Sequence, residues 1–178
     1  MHVIGIVGWS GAGKTTLIEG VIQHLTASGL TVATIKHAHR RFDMDRPGKD
    51  SHRHREAGAE QTLVISPDRW ALLTELKVRE PPGLAEALAM LEPTDIVLVE
   101  GYRGADIDKI EVWRQAHGGE ALFITDSHVV AVASDVGEGA LPSELTTQTL
   151  LSLNKPAAAA DFIRRHFKLE AEKNETDQ

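Results

Sequence analysis

The chain has 178 residues, 42% hydrophobic and 25% charged, with a formal net charge of −7. Such values describe one globular domain with a substantial core and argue against a general nucleic-acid binder, whose footprint is basic. No apolar run reaches the roughly 20 residues that cross a bilayer, the opening residues do not form a signal peptide, and the absence of cysteine removes disulfides and thiolate metal sites, so a cytoplasmic protein is expected.

The β-branched run from His2 to Val7 predicts a buried parallel strand, and Gly8 to Gly13 a turn. Helical spacing of Leu17, Ile18, Val21, Ile22 and Leu25 predicts a helix from Lys14 to about Ala27, stopped near Gly29. A second strand over 31–35 completes a βαβ unit, which favours a right-handed crossover and a parallel sheet. Residues 37–49 read as a loop, and Asp50 or Ser51 as the cap of a short helix ending near Gly58. Two strands, 61–66 and 69–76, form a hairpin across Pro67 and Asp68. A helix over 84–91, strands over 95–100, 109–114 and 129–133, and a last helix over 157–167 follow, with Asn154 as its expected cap. The fold class is α/β: a mostly parallel twisted sheet flanked by helices, with an additional β-ribbon. One domain is expected over 1–168, and a polar, disordered tail over 169–178.

Gly8, Gly13, Lys14 and Thr15 match G-x-x-x-x-G-K-[ST] in full, between a strand and a helix. The chemistry needs that order. Glycines let the loop of Gly8, Trp9, Ser10, Gly11, Ala12 and Gly13 turn its N–H groups inward, and the helix adds its positive end. The motif is that of a P-loop: Lys14 reaches the β- and γ-phosphates of a nucleoside triphosphate, the Thr15 hydroxyl ligates Mg²⁺, and Thr16 lies near the α-phosphate. The metal needs a second acid at a strand end. Glu100, after Ile96 to Val99, fits that place, with Asp43 and Asp45 as competitors.

From Lys36 to Arg55 the chain carries seven basic residues and three acidic ones, a local surplus of four on an acidic protein. This stretch reads as a lid and recognition loop in which Lys36, His37 and Lys49 meet phosphates and the acids meet metal or sugar hydroxyls. The pairs His37/His39 and His52/His54 are a weak transition-metal signal, since spacing fixes no third ligand. Asp135, ending the strand over 129–133, is the candidate acceptor for guanine N1 and N2. Asn154 and Lys155 resemble the start of N-K-x-D, but Ala157 stands where its aspartate should be.

Together, Trp9-Ser-Gly-Ala-Gly-Lys-Thr-Thr16, Lys36-His-Ala-His39, Asp43-Met-Asp45, Pro47-Gly-Lys-Asp-Ser51, Ala57-Gly-Ala59, Arg69-Trp-Ala71, Val99-Glu-Gly101 and Ala131-Val-Ala-Ser-Asp135 closely resemble the MobB family of molybdopterin-guanine dinucleotide biosynthesis adapter proteins. The likeness covers residues 2–136. It implies GTP with Mg²⁺ on the loop, weak GTPase activity, a homodimer, and assistance to a separate guanylyltransferase that attaches GMP to molybdenum-bound molybdopterin, with other cofactor-assembly proteins as partners. The residues alone also permit a small-molecule kinase, with Asp45 as base beside a catalytic Lys14, or a stand-alone GTPase. Trp9 and Ser10 stand where a further class of dimeric ATPases carries an early lysine.

Overall fold

The computed structural model describes residues 1–38, 42–117, 119–141 and 147–169. His39, Arg40 and Arg41 of the basic stretch, and residues 170–178 of the expected tail, lie outside them. The elements in chain order are β1 (His2–Val7), α1 (Lys14–Ala27), β2 (Val32–Lys36), α2 (Asp50–Glu56), β3 (Gln61–Ile65), β4 (Trp70–Thr74), α3 (Leu84–Ala89), β5 (Ile96–Glu100), β6 (Lys109–Trp113), β7 (Val129–Ser134), β8 (Thr149–Ser152) and α4 (Pro156–Phe167). Short 3₁₀ turns occupy Gln115–His117, Leu122–Ile124 and Glu138–Ala140. Among the described residues no helix is long and apolar enough to cross a membrane.

The chain divides into two compact units, one of residues 1–37 with those from Ala87 onward, the other of residues 38–86. The first is a six-stranded sheet in the order β2-β5-β1-β6-β7-β8, every pair parallel. After β1 the chain moves outward to β2, and after β5 it crosses to the far side of β1. The end of β1 is therefore where the winding reverses, the place where open α/β sheets leave a crevice. The helices α1 and α4 pack against each other and bury Leu17, Val21, Leu25, Phe162 and Ile163 with Ile4, Ile6, Ile96, Leu98 and Ile110 of the sheet. Gly20 makes that approach possible, because a Cβ there would stand 2.5 Å from Pro156 Cβ. A second cluster, of Val7, Trp113, Val129 and Val132 with Ala121, Leu122 and Phe123, includes residues of the 3₁₀ turn after β6.

β6 carries two ionisable side chains, one at its start and one at its centre, yet Lys109 and Glu111 are each 1% exposed. Lys109 Nζ donates to Asp126 Oδ2 at 2.8 Å, and Asp126 also accepts from the His128 N–H at 2.9 Å. Glu111 accepts from the N–H groups of Leu122 (2.9 Å) and Phe123 (2.8 Å), which ties the 3₁₀ turn to the sheet. Burial pushes the Glu111 carboxyl above its ordinary range, opposed by those two N–H groups.

In the second unit, β3 and β4 form an antiparallel ribbon whose register pairs Leu63 with Leu72 and Ile65 with Trp70. The Ser66 N–H closes its turn onto Arg69 O at 2.9 Å. All four paired apolar side chains are exposed, Ile65 at 71% and Trp70 at 64%.

Three points differ from the sequence reading, the first being that the N-cap of α2 is Lys49 and not Asp50 or Ser51, which lie inside the helix. β8 completes the main sheet although its four residues had not been read as a strand; Leu151 is buried against the α1–α4 core while Thr149 and Ser152 are exposed, so it lacks the long apolar run of its neighbours. Asn154 does not cap the last helix. The N-cap is Lys155, with Pro156 as the first helical residue and no side-chain cap bond, because proline supplies the helical φ and lacks the N–H that a cap would serve.

Candidate functional site

Every strand of the sheet runs the same way, so the segments after β1, β2, β5, β6 and β7 all emerge at one edge. That edge gathers residues 8–16, Lys36 with His37, Glu100, Arg114 and Asp135. The loop after β1 turns through Gly8 (φ 135°), Gly11 (φ 79°) and Gly13 (φ 103°). A Cβ on Gly8 would stand 2.3 Å from the Val112 carbonyl oxygen, and one on Gly13 3.4 Å from the Arg114 guanidinium. Glycine is required at the first of these by sterics as well as by φ. Gly13 is the N-cap of α1 and offers no side chain to its first turn, which also holds no acid. The first turn of α1 thus has no side-chain cap and no acid, and Thr15 and Thr16 beside it are exposed, an arrangement that suits an anion.

Lys14 Nζ donates to Gly8 O at 2.9 Å and Trp9 O at 2.8 Å, so the ammonium lies inside the loop it would serve. Burial lowers its pKa and nearby Lys36 lowers it further, while Glu100 opposes both. Glu100 sits level with Ile6 and Lys36 across the sheet. It accepts from Lys36 Nζ at 3.2 Å and its side chain is 17% exposed. The backbone then closes on β2 through the His37 N–H to Glu100 O at 2.8 Å, and Gly101 (φ 103°) leaves room for His37, whose Cβ would be 2.8 Å from an added Cβ. Lys14, Thr15, Lys36, His37 and Glu100 thus lie at the same edge of the sheet.

The geometry adds residues that motif reading did not reach. Arg114, just past β6, donates from Nε to Ala12 O at 2.8 Å and from Nη1 to Asp135 Oδ2 at 2.7 Å. Trp9 Nε1 donates to Glu120 O at 3.3 Å, and Gly119 beneath the indole has no room for a Cβ. Arg103 lies 5.7 Å from the Trp9 ring centroid. Their common signal was position: each follows a strand at the loop-bearing edge.

Asp43, Asp45 and Lys49 belong to the second unit. Arg55 Nη1 donates to Asp43 Oδ1 at 3.0 Å and Asp45 Oδ2 at 3.3 Å, while its Nε donates to Glu75 at 2.6 Å. The Asp45 carboxyl is held below its usual range: burial raises it, but the Ser51 hydroxyl, the Arg46 N–H and Arg55 together outweigh that. Lys49 is exposed and is the N-cap of α2. Among the described residues no group of three or more His, Asp or Glu is arranged to hold a metal by itself.

Residues 3–135 match the family described as molybdopterin guanine dinucleotide synthesis protein B, MobB. The chain belongs to the MobB family. It is 42% identical to the molybdopterin-guanine dinucleotide biosynthesis adapter protein of Escherichia coli strain K12 over 165 residues, 90% of each chain. Its identity to the adapter protein of the same name from Haemophilus influenzae is 39%, over 93% of this chain and 90% of that one. The crystal structure of a MobB homologue from Bacillus stearothermophilus superposes with a TM-score of 0.70 at 24% identity, covering 94% of this chain and 99% of that one, which shows the shared fold. The α/β architecture with a separate ribbon expected from sequence is therefore the MobB family's fold.

Proposed function

We propose that this chain is a GTP-binding adapter that assists a separate guanylyltransferase in attaching GMP to molybdopterin, forming molybdopterin-guanine dinucleotide. The observation that carries it is the glycine cradle with Lys14 inside, in a chain whose relatives are named as adapters of that biosynthesis. The cradle fits a polyphosphate: glycines open it, the uncapped start of α1 adjoins it, and one ammonium is already in place. Lys14 holds the β- and γ-phosphates, Lys36 adds positive charge beside them, and His37 supplies a polar ring at the same edge. Thr15 and Glu100 hold Mg²⁺, which neutralises phosphate charge when bound. Asp135 accepts from the guanine base. Lys49 is offered to the pterin phosphate or the partner enzyme.

A kinase would need Asp45 as a base, and a carboxylate held below its normal range by the Ser51 hydroxyl, the Arg46 N–H and Arg55 against the opposing effect of burial is a weak one. Hydrolysis by the chain alone is accordingly slow, and the protein works as a helper in the cytoplasm. We further infer a homodimer, supported by the exposed cross-strand pairs Leu63–Leu72 and Ile65–Trp70, since an isolated two-stranded ribbon is marginal and an apolar face of this kind marks an interaction site.

Calorimetry with GTP and ATP, with and without Mg²⁺, tests the reading. GTP binds with Mg²⁺, and Lys14→Ala loses most triphosphate affinity while keeping its circular dichroism spectrum. GTP turnover stays slow until guanylyltransferase and molybdopterin are added. Fast turnover alone, or phosphate transfer to a metabolite, sinks the adapter role.

A further inference from the structure

We propose that Arg114 is a positioning residue that couples the phosphate loop to the base acceptor, by holding the Ala12 carbonyl and the Asp135 carboxylate on one guanidinium. The proposal rests on the reading above, that Asp135 meets a purine base while residues 8–16 hold its phosphates.

The geometry is specific. β6 ends at Trp113, level with Ser134 of β7, so Arg114 and Asp135 are the next residues out on neighbouring strands. β6 also pairs with β1, placing the loop after Val7 on the other side of Arg114. From that midpoint the side chain donates Nε to Ala12 O at 2.8 Å and Nη1 to Asp135 Oδ2 at 2.7 Å. A guanidinium is a rigid plane, so these two donors cannot move independently. Any displacement of the loop carbonyl is passed to the carboxylate, and the reverse.

One end of the bridge is anchored in the interior and the other lies at the surface. Ala12 is 1% exposed, and Gly13 lies close enough that an added Cβ would touch the guanidinium. The Arg114 side chain is 33% exposed and that of Asp135 27%, so the bridge is partly shielded from solvent and from salt. Asp135 also lines an open cleft of about 350 Å³, with Ser134, Val136, Gly137, Leu150 and Ser152 at the ends of β7 and β8. Arg114 holds the carboxylate through Oδ2, which orients Oδ1 for a ring N–H or exocyclic amine entering that cleft. Triphosphate seating and base recognition then report to one another through a single side chain.

The test uses the full chain and calorimetry with GTP, ATP and inorganic tripolyphosphate, each with Mg²⁺. Arg114→Gln weakens GTP binding by about tenfold to a hundredfold, the range of one charge-assisted hydrogen bond, and removes the preference for GTP over ATP. Asp135→Asn removes the preference and weakens tripolyphosphate binding as well, because the carboxylate end of the bridge no longer holds the guanidinium against the loop. Adding Asp135→Asn to Arg114→Gln has no further effect on the preference. Arg114→Lys keeps the charge and the fold, as thermal unfolding checks. It recovers tripolyphosphate affinity but not the preference, because one ammonium cannot hold two separated acceptors in a fixed relation. Arg114 variants that keep the GTP-to-ATP ratio, or effects of the two substitutions that simply add, overturn the proposal. A wild-type chain that binds neither triphosphate instead overturns the reading on which it rests.

Discussion

Gly8→Ala offers a sharp test of the loop geometry, best read against Gly11→Ala. Both glycines have positive φ, at 135° and 79°, but their surroundings differ. An alanine Cβ at position 8 would lie 2.3 Å from the Val112 carbonyl oxygen, whereas at position 11 the nearest atom is His117 Cε1 at 3.5 Å, in ordinary contact. Val112 is held in the sheet between β1 and β7 and cannot retreat without breaking the ladder. For Gly11→Ala the expected loss is therefore the left-handed backbone strain alone, about 1–2 kcal/mol. For Gly8→Ala a comparable strain of about 1–3 kcal/mol is joined by overpacking of about 1–3 kcal/mol, giving roughly 2–6 kcal/mol. In a chain of this size each kcal/mol lowers the unfolding midpoint by about 2–4 °C, so the two variants separate by several degrees. Urea and thermal unfolding of both, followed by circular dichroism, measure the difference. Equal losses at the two positions would refute the claim that Val112 fixes the glycine at the mouth of the loop.

Other substitutions address the remaining parts. Asp126→Ala strands the buried Lys109 ammonium and should destabilise the chain by about 3–5 kcal/mol in urea unfolding, as expected for breaking a buried pair by removing one partner. Lys109→Met should be milder, and a smaller loss for Asp126→Ala than for Lys109→Met would contradict the pairing. Asp126 has its folded pKa lowered: burial raises it, but Lys109 and His128 outweigh that. Asp95 is lowered too, chiefly by the Thr31 hydroxyl and N–H. Both contributions are fully present above the ordinary carboxylate pKa and are lost as pH falls below it, so unfolding free energy should decline from about pH 4 downward. Asp126→Asn should flatten that decline, and an unchanged profile would assign it to other groups. Glu100→Gln should abolish the gain in GTP affinity from Mg²⁺ while sparing metal-free binding, and an unaltered Mg²⁺ dependence would remove Glu100 as a ligand. Ile65→Glu with Trp70→Lys should leave the chain monomeric by analytical ultracentrifugation; a dimer that survives would place its interface away from the ribbon.

What could be read in advance follows from how local each signal is. The βαβ unit and its loop were legible because glycine spacing, β-branched runs and helical periodicity all lie within 36 consecutive residues. Glu100 was legible as the polar end of an apolar strand. Arg114 was not, since a lone arginine after a short strand resembles a solvated terminus until the strand order sets it between residues 12 and 135. The charges of β6 carry a pattern at odds with its place: alternation of Lys109 and Glu111 with Ile110 and Val112 is that of a half-exposed strand. Yet that strand is interior, and the buried charges are satisfied by Asp126 and by the backbone of residues 122–123. Such partners come from the segment between β6 and β7, which shows no periodicity of its own.

Lys14, finally, has a bearing on how a ligand would enter. Its ammonium already bridges two carbonyls of the loop, whose oxygens hold the positive charge in position. An arriving anion therefore meets a vessel whose walls are standing. It has only to swing one flexible side chain from oxygen to oxygen, so capture can proceed as fast as encounter and rotamer exchange allow, with no peptide segment to fold first.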